Sequence, residues 1–410
     1  MSESQAEPAL VAAETEGASD LRVDVGVFVA HAPGTDPDRL SSFASRVAAD
    51  TVEAFGAATE VSWRCFLESP QRLPDADRRR PSEFLDRATD EMAEGPYDMV
   101  AVVTDAPLVS RRERFVPGLA SPLARVAVLS TRNLRRAPRG EPTRRLDDGA
   151  VRWNGAALLA HLVGHVLGAR HADSGVMAPF EFAADRQSIP PIDADVAAQL
   201  RRIAGEIPAD EATPRGPLGR LAFHGASAAR NPSRVLRALG NSRAPLLPLS
   251  LPKLSTAAVA PTLVIVFSAE SWDVGVHMGN LTAALFAAVS VLVAALYVFF
   301  AQKLAFPRKR HRVVTEQTAL VNVTVFLILL GAMVGLFAVV WSVMLVIELV
   351  VFPPNLMSNW PSLEDPVVGL VDLVRTGAFI STIGVLSGAL AGGLESRTIV
   401  SHLTLFLDRP

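Results

Sequence analysis

The chain has 410 residues, room for two or three domains, and sets 39 Lys and Arg against 42 Asp and Glu, without the basic surplus expected of a nucleic-acid-binding protein. A single cysteine, Cys65, excludes an internal disulfide framework and any zinc ligand set built from cysteines. Mean hydropathy is +0.29, high for a soluble protein, and the excess is concentrated after Leu281.

Residues 1–20 are small, acidic (Glu3, Glu7, Glu14, Glu16, Asp20) and aperiodic, which predicts a disordered tail. They lack the basic start and apolar run of a signal peptide, so the first domain is expected to stay in the cytoplasm. Alternating valines predict a strand over 21–30. Helical spacing of Leu40, Phe43, Val47, Val52 and Phe55 follows over 36–57. A second strand is expected over 59–67 and a helix over 81–92 with Pro81 at its start. Strands over 97–104 and 125–130 come next, then helices over 149–168 and 193–203. This alternation predicts an α/β or α+β domain spanning 21–207. Residues 208–255 are rich in Pro, Gly, Ser and Arg and read as a linker with one short basic helix near 233–239.

Residues 256–402 read as an all-α, multi-pass membrane region. Residues 281–301 carry no charge over a bilayer-crossing length. Residues 320–352 have Glu348 as their only charge and read as one long tilted helix. A weaker, small-residue-rich span is expected at 376–393. The basic run Arg308-Lys309-Arg310-His311-Arg312 belongs inside the cell by the positive-inside rule. Keeping the first domain on that same side requires a further crossing near 246–268, and four crossings put both termini inside. Gly331 and Gly335 form a G-x-x-x-G pattern, which suits close helix packing or a homo-oligomer. Glu348, Asp372 and Arg375 are the charges near membrane depth.

Chemistry concentrates in one stretch. His161 and His165 are one helical turn apart and face the same way. Gly168 can end the helix and turn the chain, which lets His171 return as a third nitrogen ligand. Three neutral imidazoles and a water make a tetrahedral zinc site with one open position. A zinc peptidase with the H-E-x-x-H motif puts a glutamate after the first histidine as general base; here Leu162 stands there.

The pattern H-x-x-G-H-x-x-G-x-x-H, followed by Met177 in Gly-Val-Met-Ala-Pro, resembles the zinc-binding signature of the metzincin clan of metallopeptidases. Residues 98–105, 114–120 and 125–129 are similar to the strand and edge segments of its archaemetzincin branch. The resemblance covers roughly 22–205. It implies that His161, His165 and His171 hold Zn2+, that Met177 sits in the turn below the metal, and that Gly168 ends the helix. Two departures stand out. Leu162 replaces the catalytic glutamate, so no catalytic residue is assigned and peptidase activity is in doubt. The archaemetzincin cysteines near the third histidine are absent, and Asp173-Ser174-Gly175 bridges to Val176-Met177 in a manner closer to matrixins. Glu181, Asp173, Glu141 and Asp147 are the nearest carboxylates that could stand in, and none has the required spacing.

The expectation is a multi-pass protein of the cell membrane with a cytoplasmic zinc domain, degenerate as a peptidase, and the lipid bilayer as its surroundings. A peptide or protein ligand would occupy the old cleft; nucleic acid is not expected. The alternatives are a live zinc hydrolase with a displaced base, and an integral membrane sensor or structural protein with a vestigial metal domain.

Overall fold

The computed structural model describes residues 9–10, 21–75, 79–94, 97–110, 115–137, 142–205, 211–212, 216–305, 314–351 and 368–392. Most of the acidic tail, residues 111–114, Glu141, the basic run 308–312 and the residues after 392 lie outside them. The chain divides into two compact units. One is Met1–Phe223 with Pro307–Val321 and Ser401–Pro410; the other is His224–Phe306 with Asn322–Val400.

The first unit is a mixed α/β domain. Its strands are β1 (Ala9–Leu10), β2 (Arg22–His31), β3 (Ser62–Leu67), β4 (Gln71–Arg72), β5 (Met99–Thr104), β6 (Gly118–Ser121) and β7 (Val126–Ser130). They form one sheet in the order β1-β3-β2-β5-β7-β6, with β4 beside the end of β2. The pairs β3–β2, β2–β5 and β5–β7 are parallel, and β1 and β6 close the edges antiparallel. Ala9 and Leu10 pair with Leu67 and Phe66, so part of the acidic tail is an edge strand.

The alternation read in β2 suggests one solvated face, yet Val23–Ala30 is buried throughout. Parallel strands are covered on both faces, so a central one is buried along its length. Asp24 is buried too, and Arg22 and Arg64 reach its carboxylate at 2.7 Å each. Burial nevertheless outweighs these ion pairs and pushes its carboxyl above the usual range.

One face of the sheet carries Val23, Val25, Val27, Val29, Met99, Ala101, Val103 and Leu129 in a single apolar core. Against it lie α1 (Pro37–Thr59) and α4 (Gly149–Val166). Asp36 caps α1, its side chain accepting from the backbone N–H groups of Asp38 and Arg39. Thr59 ends α1 rather than opening β3, because Glu60 in the left-handed region turns the chain there. The two helices meet at Gly155, where a Cβ would lie 2.7 Å from Phe43. Helices α2 (Leu85–Glu94), α3 (Thr131–Leu134) and α5 (Ala194–Ala204) complete the described helices of this domain.

Where composition suggests a linker, much of the chain is helical: α6 (Gly216–Arg230), α7 (Pro232–Ser242) and a 3-10 segment Ala244–Ser250. Pro232 and Pro245 sit at helix starts, where a missing N–H costs nothing, while Pro248 lies inside the 3-10 segment. Two short strands, β8 (Glu211–Ala212) and β9 (Val314–Thr315), pair antiparallel within the first unit.

The second unit is helical: α8 (Pro252–Ile265), α9 (Ala269–His277), α10 (Asn280–Ala301), α11 (Glu316–Val350, which begins in the first unit) and α12 (Leu370–Gly392). Among the described residues, three helices are long and apolar enough to cross a membrane: Asn280–Ala301, Thr318–Val350 and Leu370–Ala391. The last begins earlier than expected and takes in Asp372 and Arg375. These neutralise each other one turn apart, and Asp372 caps the helix by accepting from Gly369 N at 2.8 Å. Helix α8, at 14 residues or about 21 Å, is too short to cross alone. It is continued by α9, and the pair runs antiparallel along α12. Gly388 meets Leu254 and Ala258, Gly384 meets Ala258 and Thr262, and Thr376 meets Gly275. Helix α11 also runs antiparallel to α12, with Leu336 at Gly388 and Val340 at Gly384. Gly331 and Gly335 receive Ala244 and Pro245 of the same chain; a Cβ at Gly335 would sit 2.0 Å from the Pro245 carbonyl. The G-x-x-x-G pattern is thus filled intramolecularly.

Candidate metal centre

Helix α4 carries the site. Asp148 caps its start, accepting from Ala150 N, and its residues from Gly155 to Val166 are all buried. His161 and His165 point the same way from its last turns, 1% and 4% exposed. The helix ends two residues before the expected 168. Ala169 N donates to Gly164 O and Gly168 N to His165 O, each at 2.9 Å, with Gly168 at φ +81°. This paired closure needs a left-handed residue, which glycine supplies without strain. The chain then doubles back and brings His171 to the other two.

The three Nε2 atoms converge. His165 Nε2 lies 3.1 Å from His161 Nε2 and 3.0 Å from His171 Nε2. Nitrogens held at about 2.0–2.1 Å around a tetrahedral zinc would be about 3.3 Å apart, close to what is found. Backbone carbonyls set the tautomers. His161 Nδ1 lies 2.8 Å from Val176 O and His165 Nδ1 2.9 Å from Ala169 O. Only an N–H can satisfy a carbonyl, so Nδ1 holds the proton and the Nε2 lone pair faces inward. Neutral rings then present two lone pairs to each other with no hydrogen between them, an arrangement a shared cation satisfies. Burial, with His161 and His171 nearby, pushes His165 down to about 4, so it is neutral at physiological pH. The donor set fits a metal ion, and these three are the one such cluster among the described residues.

Met177 is fully buried in a 3-10 turn, Gly175–Met177, under the helix end. Its sulfur fills the space at Gly164, where a Cβ would come within 2.4 Å. The loop from His171 is closed by Ala172 N to Met177 O at 3.0 Å and Val176 N to Pro191 O at 2.8 Å.

Leu162 is fully buried and packs against β6. A Cβ on Gly118 of β6 would meet Leu162 Cδ1 at 2.6 Å. Asp173, Glu181 and Asp147 are all exposed, and among the described residues no carboxylate joins the histidine cluster. Glu141 lies outside the described residues.

Spacing gives no hint of three supporting residues. Gly164 admits Met177. Gly118 admits Leu162. Asn154, fully buried on α4, donates to Ala183 O at 2.6 Å and accepts from Ala183 N at 3.0 Å, tying the segment after the Met177 turn back to the metal helix. Asn154, the uncharged polar residue within the apolar run of α4, is the visible signal, since a buried amide must find partners.

No family model and no curated protein matches the chain. Among solved structures, a zinc-dependent peptidase from Methanocorpusculum labreanum is 19% identical with a TM-score of 0.31, over 43% of this chain and 99% of that one. Archaemetzincin from Methanopyrus kandleri is 23% identical with a TM-score of 0.31, over 44% of this chain and 96% of that one. Archaemetzincin from Archaeoglobus fulgidus, complexed with malonate, is 17% identical with a TM-score of 0.30, over 42% and 99%.

Proposed function

We propose that this chain is a membrane-anchored zinc-binding protein of metallopeptidase-like build, degenerate as a peptidase, whose zinc domain and basic loop lie in the cytoplasm. One observation carries the reading. A complete set of three convergent imidazoles coexists with Leu162, buried against Gly118, where a peptidase needs a carboxylate.

Three neutral imidazoles suit Zn2+, with one coordination position left open. When bound, zinc would supply a Lewis acid able to lower the pKa of water to about 7. The chain's own part is orientation: Val176 O and Ala169 O fix the two buried rings, and Gly168 returns His171. Leu162 can neither accept a proton from an attacking water nor deliver one to a leaving amine. That loss is typically worth about 10²–10⁴ in rate. Among the described residues no carboxylate joins the histidine cluster, which weighs against a displaced base. The domain then serves to bind a peptide or protein partner rather than to cut it.

The proposed sidedness rests on an even number of crossings. The run α8–α9 accompanies α12 from Gly388 to Thr376, which supports reading 252–277 as a fourth crossing beside the three long spans. An even number keeps the first domain, the basic loop after α10 and the C-terminus on one side, where the positive-inside rule puts Arg308–Arg312.

The test is zinc content and cleavage by the full chain in detergent. Zinc bound to the wild type, lost in His165→Ala, and no cleavage of a peptide library is the expected result. Folded protein without metal would overturn the zinc centre. Cleavage by the wild type at a rate comparable to Leu162→Glu would overturn its degeneracy.

A further inference from the structure

Glu348 is the charge that the zinc domain does not account for. It lies on α11, within the apolar span Thr318–Val350, and is 0% exposed. Neither carboxyl oxygen has a hydrogen-bond partner among the described residues. It packs on Gly377 of α12, where a Cβ would meet its two oxygens at 3.2 and 3.3 Å. The missing side chain makes the room that the carboxyl occupies.

Among the described residues, none is placed to neutralise an anion there. The indole N–H of Trp341, two turns back on the same face of α11, donates to Val374 O at 3.2 Å. On α12 the charged groups are Asp372 and Arg375, paired with each other, and Arg375 Nη1 donates to Met278 O at 2.7 Å. Arg375 Nε and Thr376 Oγ1 are also buried without partners, and neither bonds to Glu348. Helix α10 and the segment Ala244–Ser250, which also pack on α11, carry no charge. Glu270, Asp273 and His277 belong to α9, which meets α12 at Thr376. Glu316 stands at the opposite end of α11. The connection 352–367 contains Glu364 and Asp365 but no Lys, Arg or His.

An ionised carboxylate buried without donors or counter-charge is far costlier than the neutral acid. A hydrated metal cation needs several oxygen ligands to replace its water, and one carboxyl is too few. We propose that Glu348 is a proton-binding site within the helical unit, loaded at neutral pH and exchanging with the nearby membrane surface. Helix α11 ends at Val350, two residues further on, so the site lies within a turn of the helix end. This inference is independent of the zinc reading and goes beyond it.

The experiment is infrared difference spectroscopy on the full chain in lipid nanodiscs, wild type against Glu348→Gln, in H2O and D2O. The expected result is a protonated-acid carbonyl band at pH 7 that is absent from the variant, shifts in D2O and disappears on alkaline titration. Carboxylate bands at pH 7, or an acid band indifferent to D2O, would overturn the proposal. Should Glu348→Gln fail to fold, the wild type alone decides through a hydrophobic carbodiimide. The acid oxygen adds to the carbodiimide carbon, its proton passes to nitrogen, and acyl migration leaves a stable N-acylurea with no other reactant. An adduct mapped to Glu348 at pH 7 and lost at alkaline pH supports the site; adducts only at exposed carboxyls overturn it.

Discussion

At the residue scale, the metal centre depends on glycines that admit other side chains as much as on its histidines. Gly164 leaves space for the Met177 sulfur, so Gly164→Ala would push a Cβ to within 2.4 Å of it. The thioether is flexible but fully buried, so relief is limited. We expect a loss of about 1–3 kcal/mol, read as a lower denaturant midpoint, and weaker zinc retention against a chelator. Unchanged stability would mean that Met177 moves freely and does not brace the site. Leu162→Ala tests a different role. The side chain packs on Gly118 and is not a ligand, so truncation should cost about 2–5 kcal/mol while zinc stoichiometry stays at wild-type level. Loss of zinc from a folded Leu162→Ala protein would contradict that separation.

At the scale of the element, the end of α4 joins fold to site. Gly168 holds φ +81°, and alanine there would strain both the helix closure and the return to His171. A penalty of about 1 kcal/mol or more is expected from thermal or denaturant unfolding, with zinc affinity reduced in parallel. The buried ring of His165 also sets a pH dependence in metal-stripped protein. His165 has an ordinary value of 6.5 and is pushed down to about 4 in the folded state by burial and its neighbours. Between those values the unfolded chain binds the proton and the folded chain does not, so stability rises with pH. The contribution is complete above about 6.5 and is lost on acidification toward 4, about 3 kcal/mol in all. Unfolding curves across that range should show the slope in the apo wild type and a flatter one in His165→Ala. Equal slopes would remove His165 as its source.

At the scale of the whole molecule, the number of crossings decides which compartment the metal centre meets. With α8–α9 as a crossing, a cysteine at exposed Glu53 is shielded from a membrane-impermeant maleimide in intact cells, and one at exposed Asp273 is labelled. Cys65 does not interfere, being buried with its thiol pushed up to about 12. Labelling of Glu53→Cys from outside would leave three crossings and an external metal domain.

The ligand spacing, the helix-ending glycine, the main strands and helices of the first domain and the three long apolar spans could be read directly from residue order. Each is a local property: 3.6-residue periodicity, the φ > 0 tolerance of glycine, or sustained apolar length. Residues brought together by packing could not. Gly118 meeting Leu162, Asn154 holding the chain after the Met177 turn, and the burial of both faces of β2 depend on contacts between distant segments. So does the most consequential case in the helical unit. Residue order alone places a further, proline-interrupted crossing near 246–268 and shows Glu348 as a lone charge in an apolar run. Only tertiary structure decided that α8 and α9 share a path along α12, and that Gly377 clears a space for the Glu348 carboxyl without offering it a hydrogen bond, because side-chain environment is set by the partner helix.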